Sequence, residues 1–361
     1  MSQRHYYLWS VGCLSACAAG WVFPARAQYE DTFGGNPGTN AFLRIPADTD
    51  DWTRHFRLGA LMGLNIRANF SMNGSFPIPG NNPGAGTFVD GYVHPDQTGD
   101  PTYTGYWGYN NASQISGNNL ALTGASSYSL QNGSLNDRRD GGLMTGIDVA
   151  YGGNLWYWRH ARVGWELGFG WLPINISDGI NNVPVKVNQT TYNFSTAGIV
   201  VPAAPYQGGP SGIGEPLIPL AYTPGTPSTV DGTLSGSQAL DVSLYTLRLG
   251  PSMYWDLPKR FGLALGAGPA VGMVDGEYKY NETITTAGGK VQSSGKISGT
   301  DFVFGGYVNG TLLYHLQNNG DLFLGAQYMP MTDATISGGG RQGRLNLDGQ
   351  LYFSVGLNWP F

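Results

Sequence analysis

Charge is scarce in this 361-residue chain: Asp, Glu, Lys and Arg make up 12% of it, about half the usual globular share. Basic residues are the scarcer sign, 19 against 24 acidic, for a formal net charge of −5. A nucleic-acid binder is normally basic, so no nucleic acid is expected as a partner. Cysteine is nearly missing. The two present, Cys13 and Cys17, fall inside an N-terminal stretch patterned like an export leader, so the exported chain is expected to carry no thiol. That excludes disulfides, thiolate catalysis and cysteine-bound metal. Past the leader no run of 18 apolar residues occurs, which excludes a transmembrane helix.

Glycine and aromatic residues are abundant instead. The chain has 56 Gly and 22 Pro, too many for a helical bundle, and its 10 Trp, 21 Tyr and 15 Phe are too many for a disordered chain. The composition suits a β-rich protein with long polar loops.

Residues 1–27 read as a signal peptide. Arg4 opens it, an apolar stretch runs from 6 to 23, and Ala25-Arg26-Ala27 forms a cleavage site, so the exported chain begins at Gln28. Leu14-Ser15-Ala16-Cys17 also has the form of a lipobox. The apolar Trp21, Val22 and Phe23 beyond it favour cleavage after Ala27 over lipidation at Cys17. Residues 28–54 look irregular, a short periplasmic lead, and 55–361 form one domain.

That domain alternates with period two. From 56 to 70 every second residue is apolar: Phe56, Leu58, Ala60, Met62, Leu64, Ile66, Ala68 and Phe70. Side chains alternate faces along a strand, so one face is apolar and the other wet. Similar runs cover 142–156, 161–175, 241–257, 261–279, 300–315, 321–329 and 344–361, which makes eight strands. Most are about 15 residues long, where a soluble strand averages about 5–6 and a tilted membrane-spanning strand needs roughly 9–11. Long connections (71–140, 176–240, 280–299, 330–343) alternate with short turns near 157–160, 258–260 and 317–320. The expected fold is all-β: a closed antiparallel up-and-down transmembrane β-barrel of eight strands with long extracellular loops. Pairing of 183–187 with 190–194 as an extra hairpin gives the alternative of ten strands. Two outward aromatic bands are expected. Phe56, Trp165, Trp255, Phe261, Tyr314, Trp359 and Phe361 make one, at the short-turn end. Phe70, Trp171, Tyr245 and Phe302 make the other.

The opposite parity supplies the interior, including Arg57, Arg67, Asp148, Glu166, Arg248, Asp348 and Gln350. Asp148, Glu166 and Arg248 fall near mid-height. A buried ion must be paired, so Arg248 is expected to form a polar cluster with Glu166 and Asp148, with Arg57 and Arg67 in the same interior set. The cluster either plugs the lumen or lines a narrow pore. Inward glycines such as Gly59, Gly168 and Gly266 leave room for the pore.

The chain ends Leu351-Tyr352-Phe353-Ser354-Val355-Gly356-Leu357-Asn358-Trp359-Pro360-Phe361. This resembles the C-terminal signal of Gram-negative outer-membrane proteins, with Phe353, Val355, Leu357, Trp359 and Phe361 at alternate positions. Pro360 departs from the pattern. The resemblance implies an outer-membrane location and recognition by the barrel-insertion machinery and periplasmic chaperones. Outer-membrane lipid and lipopolysaccharide would be its surroundings. The chain as a whole resembles small barrels of the OmpA-transmembrane or OmpX kind. The segment from Asp90-Gly91-Tyr92 to Trp107–Gln114 also resembles a family motif, one that implies no activity.

The function expected from sequence is structural or surface interaction through the long loops, with an unknown loop ligand. A narrow porin-like channel for small solutes is the alternative, and an outer-leaflet lipid-modifying enzyme comes third. Such an enzyme needs His beside Ser or Asp near the outer rim, and only His94, with Asp90 and Asp96 near it in sequence, lies outside. The chain is therefore expected not to be an enzyme. No cofactor or metal is expected either. Asp96-x-Thr98-Gly99-Asp100 lacks the ligand spacing of a calcium loop, and no phosphate-binding glycine motif occurs in a strand–helix context.

Overall fold

The computed structural model describes residues 54–80, 86–158, 161–316 and 320–361. The expected signal peptide lies outside them, as does the lead save Arg54, and 317–319 of one turn.

Twelve strands build the wall. They are β1 (Arg54–Leu64), β2 (Arg67–Pro77), β3 (Asn119–Asp140), β4 (Met144–Trp158), β5 (Ala161–Ser195), β6 (Ser228–Leu257), β7 (Phe261–Thr286), β8 (Gly289–His315), β9 (Asp321–Tyr328), β10 (Ala334–Gly338), β11 (Arg341–Asn346) and β12 (Leu351–Pro360). All their pairings are antiparallel. The ladder runs β6-β7-β8-β9-β12-β1-β4-β5 and returns to β6, which makes a hydrogen-bonded ring. A second tier branches from the upper part of β5 through β3, β2 and β11 to β10. There the Thr335 N–H donates to Asp301 Oδ2 of β8 at 2.9 Å.

With the short strands Ile115–Ser116 and Tyr222–Pro224, this sheet has 14 strands, where eight or ten were expected. Part of the excess has a local cause. Two expected strands, 56–70 and 344–361, are broken in two, between β1 and β2 and between β11 and β12, while β3 and β10 lie in stretches expected as loops. The stretches expected as long loops are also corrected, because much of each is strand. Residues 183–187 and 190–194 form no hairpin: both belong to β5, the first pairing with β6 and the second with β3. The 280–299 connection is a hairpin whose strands part only at 287–288.

The polarity of the wall inverts part-way up, without interruption on the unbroken strands. On β5 the outward residues are Leu167, Phe169 and Trp171 below, then Pro173, Asn175 and Ser177 above. The inward ones are Glu166, Gly168 and Gly170 below, then Leu172, Ile174 and Ile176. On β8, Phe302, Phe304, Val308, Leu312 and Tyr314 are exposed, and Ser298, Lys296 and Ser294 continue the same face upward. The lower tier is thus apolar outside and polar inside. The upper tier has the ordinary arrangement, with Phe70, Leu172, Ile174, Leu240, Tyr278 and Leu345 among the buried core.

The breaks lie at this inversion. Between β1 and β2, Asn65 takes a left-handed φ of 61° and the side-chain phase slips by one residue. Such a slip sends every later side chain to the other face. Ile66, Ala68 and Phe70 are therefore fully buried, although they continue the apolar parity of Phe56 and Leu58. Phe70 leaves the expected outer aromatic band for this reason. The break before β12 does the same, burying Leu345 and Leu347 while Asp348 is exposed.

Residues 86–118 and 196–227 fold together over the upper end. Phe88, Val93, Trp107, Tyr109, Leu120, Leu122, Phe194 and Ile218 form their own core, and the Trp107 indole N–H donates to Pro216 O at 2.7 Å. Among the described residues no helix is long and apolar enough to cross a membrane.

Candidate functional site: the polar lumen and its lower vestibule

The lower lumen is held by two buried ion pairs. Arg248 on β6 donates to Asp148 Oδ1 on β4 at 2.7 Å, with side chains 2% and 3% exposed. Arg57 on β1 donates to Glu166 Oε1 on β5 at 2.8 Å, and Asn309 of β8 reaches the same oxygen at 3.4 Å. Glycines opposite these side chains are required. In register Arg248 faces Gly168, and a Cβ there would strike the guanidinium. A Cβ on Gly266 would lie 2.5 Å from Asn309 Oδ1. The space at Gly59, Gly168 and Gly266, expected to keep a pore open, is filled by Phe323, Arg248 and Asn309. What remains between Arg57, Asp148, Arg248 and Tyr352 is about 10 Å³, room for about one water. The apolar core lies above.

Below these pairs opens a vestibule of about 300 Å³. Asp321 Oδ2 accepts from the Asn358 amide at 2.7 Å, and Oδ1 lies 2.6 Å from His315 Nδ1. His315 Nε2 stands 3.0 Å from the Tyr254 hydroxyl. A carboxylate on Nδ1 fixes the tautomer that leaves Nε2 as acceptor, so Asp321, His315 and Tyr254 form an oriented chain. Arg162 sends one terminal nitrogen to both oxygens of Asp256, at 2.7 and 2.9 Å, and lies 4.6 Å over the Tyr254 ring. His55 Nε2 stands 3.7 Å from Glu166 Oε2.

Of the residues expected in the interior cluster, Arg57, Asp148, Glu166 and Arg248 are buried in the lumen, but as two pairs: Glu166 binds Arg57, and Arg248 binds Asp148. Arg67 is a correction. It follows the slip at Asn65, points outward and pairs with exposed Asp140 at 2.7 Å. Asp348 is likewise outside. On β12, Val355, Leu357 and Trp359 face outward with Phe361 beyond the strand, and Phe353 is half-buried. Trp359 stacks on Phe56, ring centroids 6.3 Å apart.

Sequence reasoning missed a second buried group in the upper tier. Arg341 makes two bonds to Glu282, at 2.9 and 2.7 Å, and a third to the Tyr128 hydroxyl at 3.1 Å. Its guanidinium lies between the Phe76 and Tyr280 rings, 4.4 and 3.9 Å away. All three polar residues sit in stretches read as loop. The available signal was the alternation of Tyr278, Tyr280, Glu282 and Ile284 beyond the expected strand end.

In the cap, His94 stacks on Tyr92, packs at a tilt against Tyr106 and lies 3.4 Å from the Thr87 hydroxyl. Burial lowers its pKa. Asp90 instead accepts from the Thr123 N–H and hydroxyl, and burial raises its carboxyl. Asp96 accepts from the Thr98 hydroxyl and from the Gly105 N–H, which hold its carboxyl low. The carboxylates near His94 in sequence are thus occupied elsewhere. Among the described residues no group of His, Cys, Asp and Glu could hold a metal ion.

No family model and no curated protein matches this chain. Solved structures similar to it include the outer membrane protease OmpT from Escherichia coli, 10% identical, with 86% of this chain and 97% of that chain covered and a TM-score of 0.29. A Pseudomonas aeruginosa FadL homologue is 7% identical over 86% and 90%, with a TM-score of 0.19. OmpT of Vibrio cholerae, an outer membrane protein, is 8% identical over 84% and 97%, with a TM-score of 0.12. The expected OmpA or OmpX kind is not confirmed by them. The first is a protease, so the sequence-based exclusion of an enzyme is withdrawn. Likeness at this level carries no activity to this chain.

Proposed function

We propose that the protein is an integral outer-membrane β-barrel. Its lower tier crosses the lipid as a closed cylinder of eight walls, and its upper tier and cap stand in water outside the cell as an interaction surface. The observation that carries this reading is the inversion of polarity along unbroken strands. Exposed apolar bands of this extent mark a membrane or a partner. From Tyr245 to Trp255 on β6 the band covers about 33 Å of strand, roughly 25 Å of height at a 40° tilt. Aromatic residues edge it: Phe56, Phe261, Tyr314 and Trp359 below, Phe302 above. Ring closure leaves no strand edge unpaired in lipid. The filled lower lumen and the apolar core above it favour a closed barrel over a channel.

Single cysteines test the reading, because Cys13 and Cys17 are the only native ones. With both removed, a fluorophore at Leu167→Cys or Phe169→Cys should be quenched by brominated lipid and shielded from a charged maleimide. Asn175→Cys and Ser177→Cys should show the reverse. Equal labelling at all four positions would refute the membrane assignment.

A further inference from the structure

The vestibule has an unequal supply of hydrogen-bonding groups. Two of its three carboxylates have both oxygens engaged. Both oxygens of Asp321 are engaged, by His315 and Asn358. Both oxygens of Asp256 take the one Arg162 nitrogen. Glu166 accepts from Arg57 and Asn309 on Oε1 and faces His55 with Oε2. The cations are not spent. Arg57 is 4% exposed, and its Nε is buried with no partner. Among the described residues Arg162 keeps Nη1 and Nε, since both of its bonds leave from Nη2. The Arg54 side chain lines the same cavity and has no partner among the described residues.

Arginine offers five donors in a fixed fork and no acceptor. Three arginines with unused donors, facing carboxylates whose oxygens are mostly engaged, make a cavity better supplied for negative charge than for a cation. We propose that this vestibule is a binding site for a small oxyanion of the phosphate or carboxylate class. Three or four heavy atoms around a central atom fit easily into 300 Å³. The guanidinium fork matches both chemistries in planar, two-bond contacts.

The test is calorimetric titration of the exported chain, refolded in nonionic detergent at low ionic strength, with sulfate as probe. Saturable binding at one site is expected. Arg54→Gln removes no internal bond and should raise the Kd by about tenfold or more, the loss of one charge-assisted hydrogen bond. Arg54→Gln/Arg162→Gln should abolish binding, with β-type circular dichroism confirming the fold. Lys186→Gln, on the upper outer wall, should leave the Kd unchanged. Absence of saturable heat, an unchanged Kd in Arg54→Gln, or an equal loss in Lys186→Gln each overturns the proposal. Methyl phosphate and acetate are then used as competitors. The one that displaces sulfate names the class, and displacement by neither overturns the proposal.

Discussion

Removing Arg248 isolates the energetics of the lumen. In Arg248→Met the Asp148 carboxylate, 3% exposed, loses its 2.7 Å partner. Arg57, which lines the same small void, is already held by Glu166. Removing one partner of a buried pair costs about 3–5 kcal/mol, because a charge is left uncompensated. That is about two to four powers of ten in the folded-to-unfolded ratio. Arg248→Met/Asp148→Leu removes both charges and fills the space with apolar groups, and such replacements are often neutral or stabilising. The double variant should therefore recover most of the loss, with a coupling of at least about 2 kcal/mol. Tryptophan fluorescence during urea unfolding in phospholipid vesicles gives all four corners of the cycle. A single-variant cost below about 1 kcal/mol, or additive singles, would refute the view that pairing, rather than packing alone, makes this lumen tolerable.

Four further outcomes follow from the structure. Gly168→Val should destabilise strongly, since its Cβ would displace the Arg248 guanidinium, and the same unfolding assay reads it. Leu167→Arg should cost about 2–4 kcal/mol at the middle of the apolar band, while Asn175→Arg, four residues up the same face, should stay within about 0.5 kcal/mol. Burial depresses the His94 pKa in the folded cap. Cap stability should therefore be full above the ordinary imidazole value of about 6.5 and fall as pH drops below it, seen as faster amide exchange in 86–109 and lost in His94→Phe. In planar bilayers the inserted protein should give no steady conductance, and regular salt-dependent steps would overturn the closed-lumen reading.

The sequence alone determined the alternation of the lower tier and the outward face of the last strand. It also placed Arg57, Asp148, Glu166 and Arg248 inside. Those follow from parity along a strand, a local property that needs no partner. Other features depended on what the chain meets in space. The slip at Asn65 reverses the faces of Ile66, Ala68, Phe70 and Arg67, yet it hides in a sequence whose alternation runs on unbroken. Which carboxylate Arg248 takes was decided by register across β4, β5 and β6. Arg341, Glu282 and Tyr128 come from strands read as loop, because polar outward residues there hide the apolar inward ones. Tyr254, His315 and Asp321 meet only because the ring brings β6, β8 and β9 around one cavity. Period two fixes which way a residue points. Only the closed sheet fixes what stands opposite.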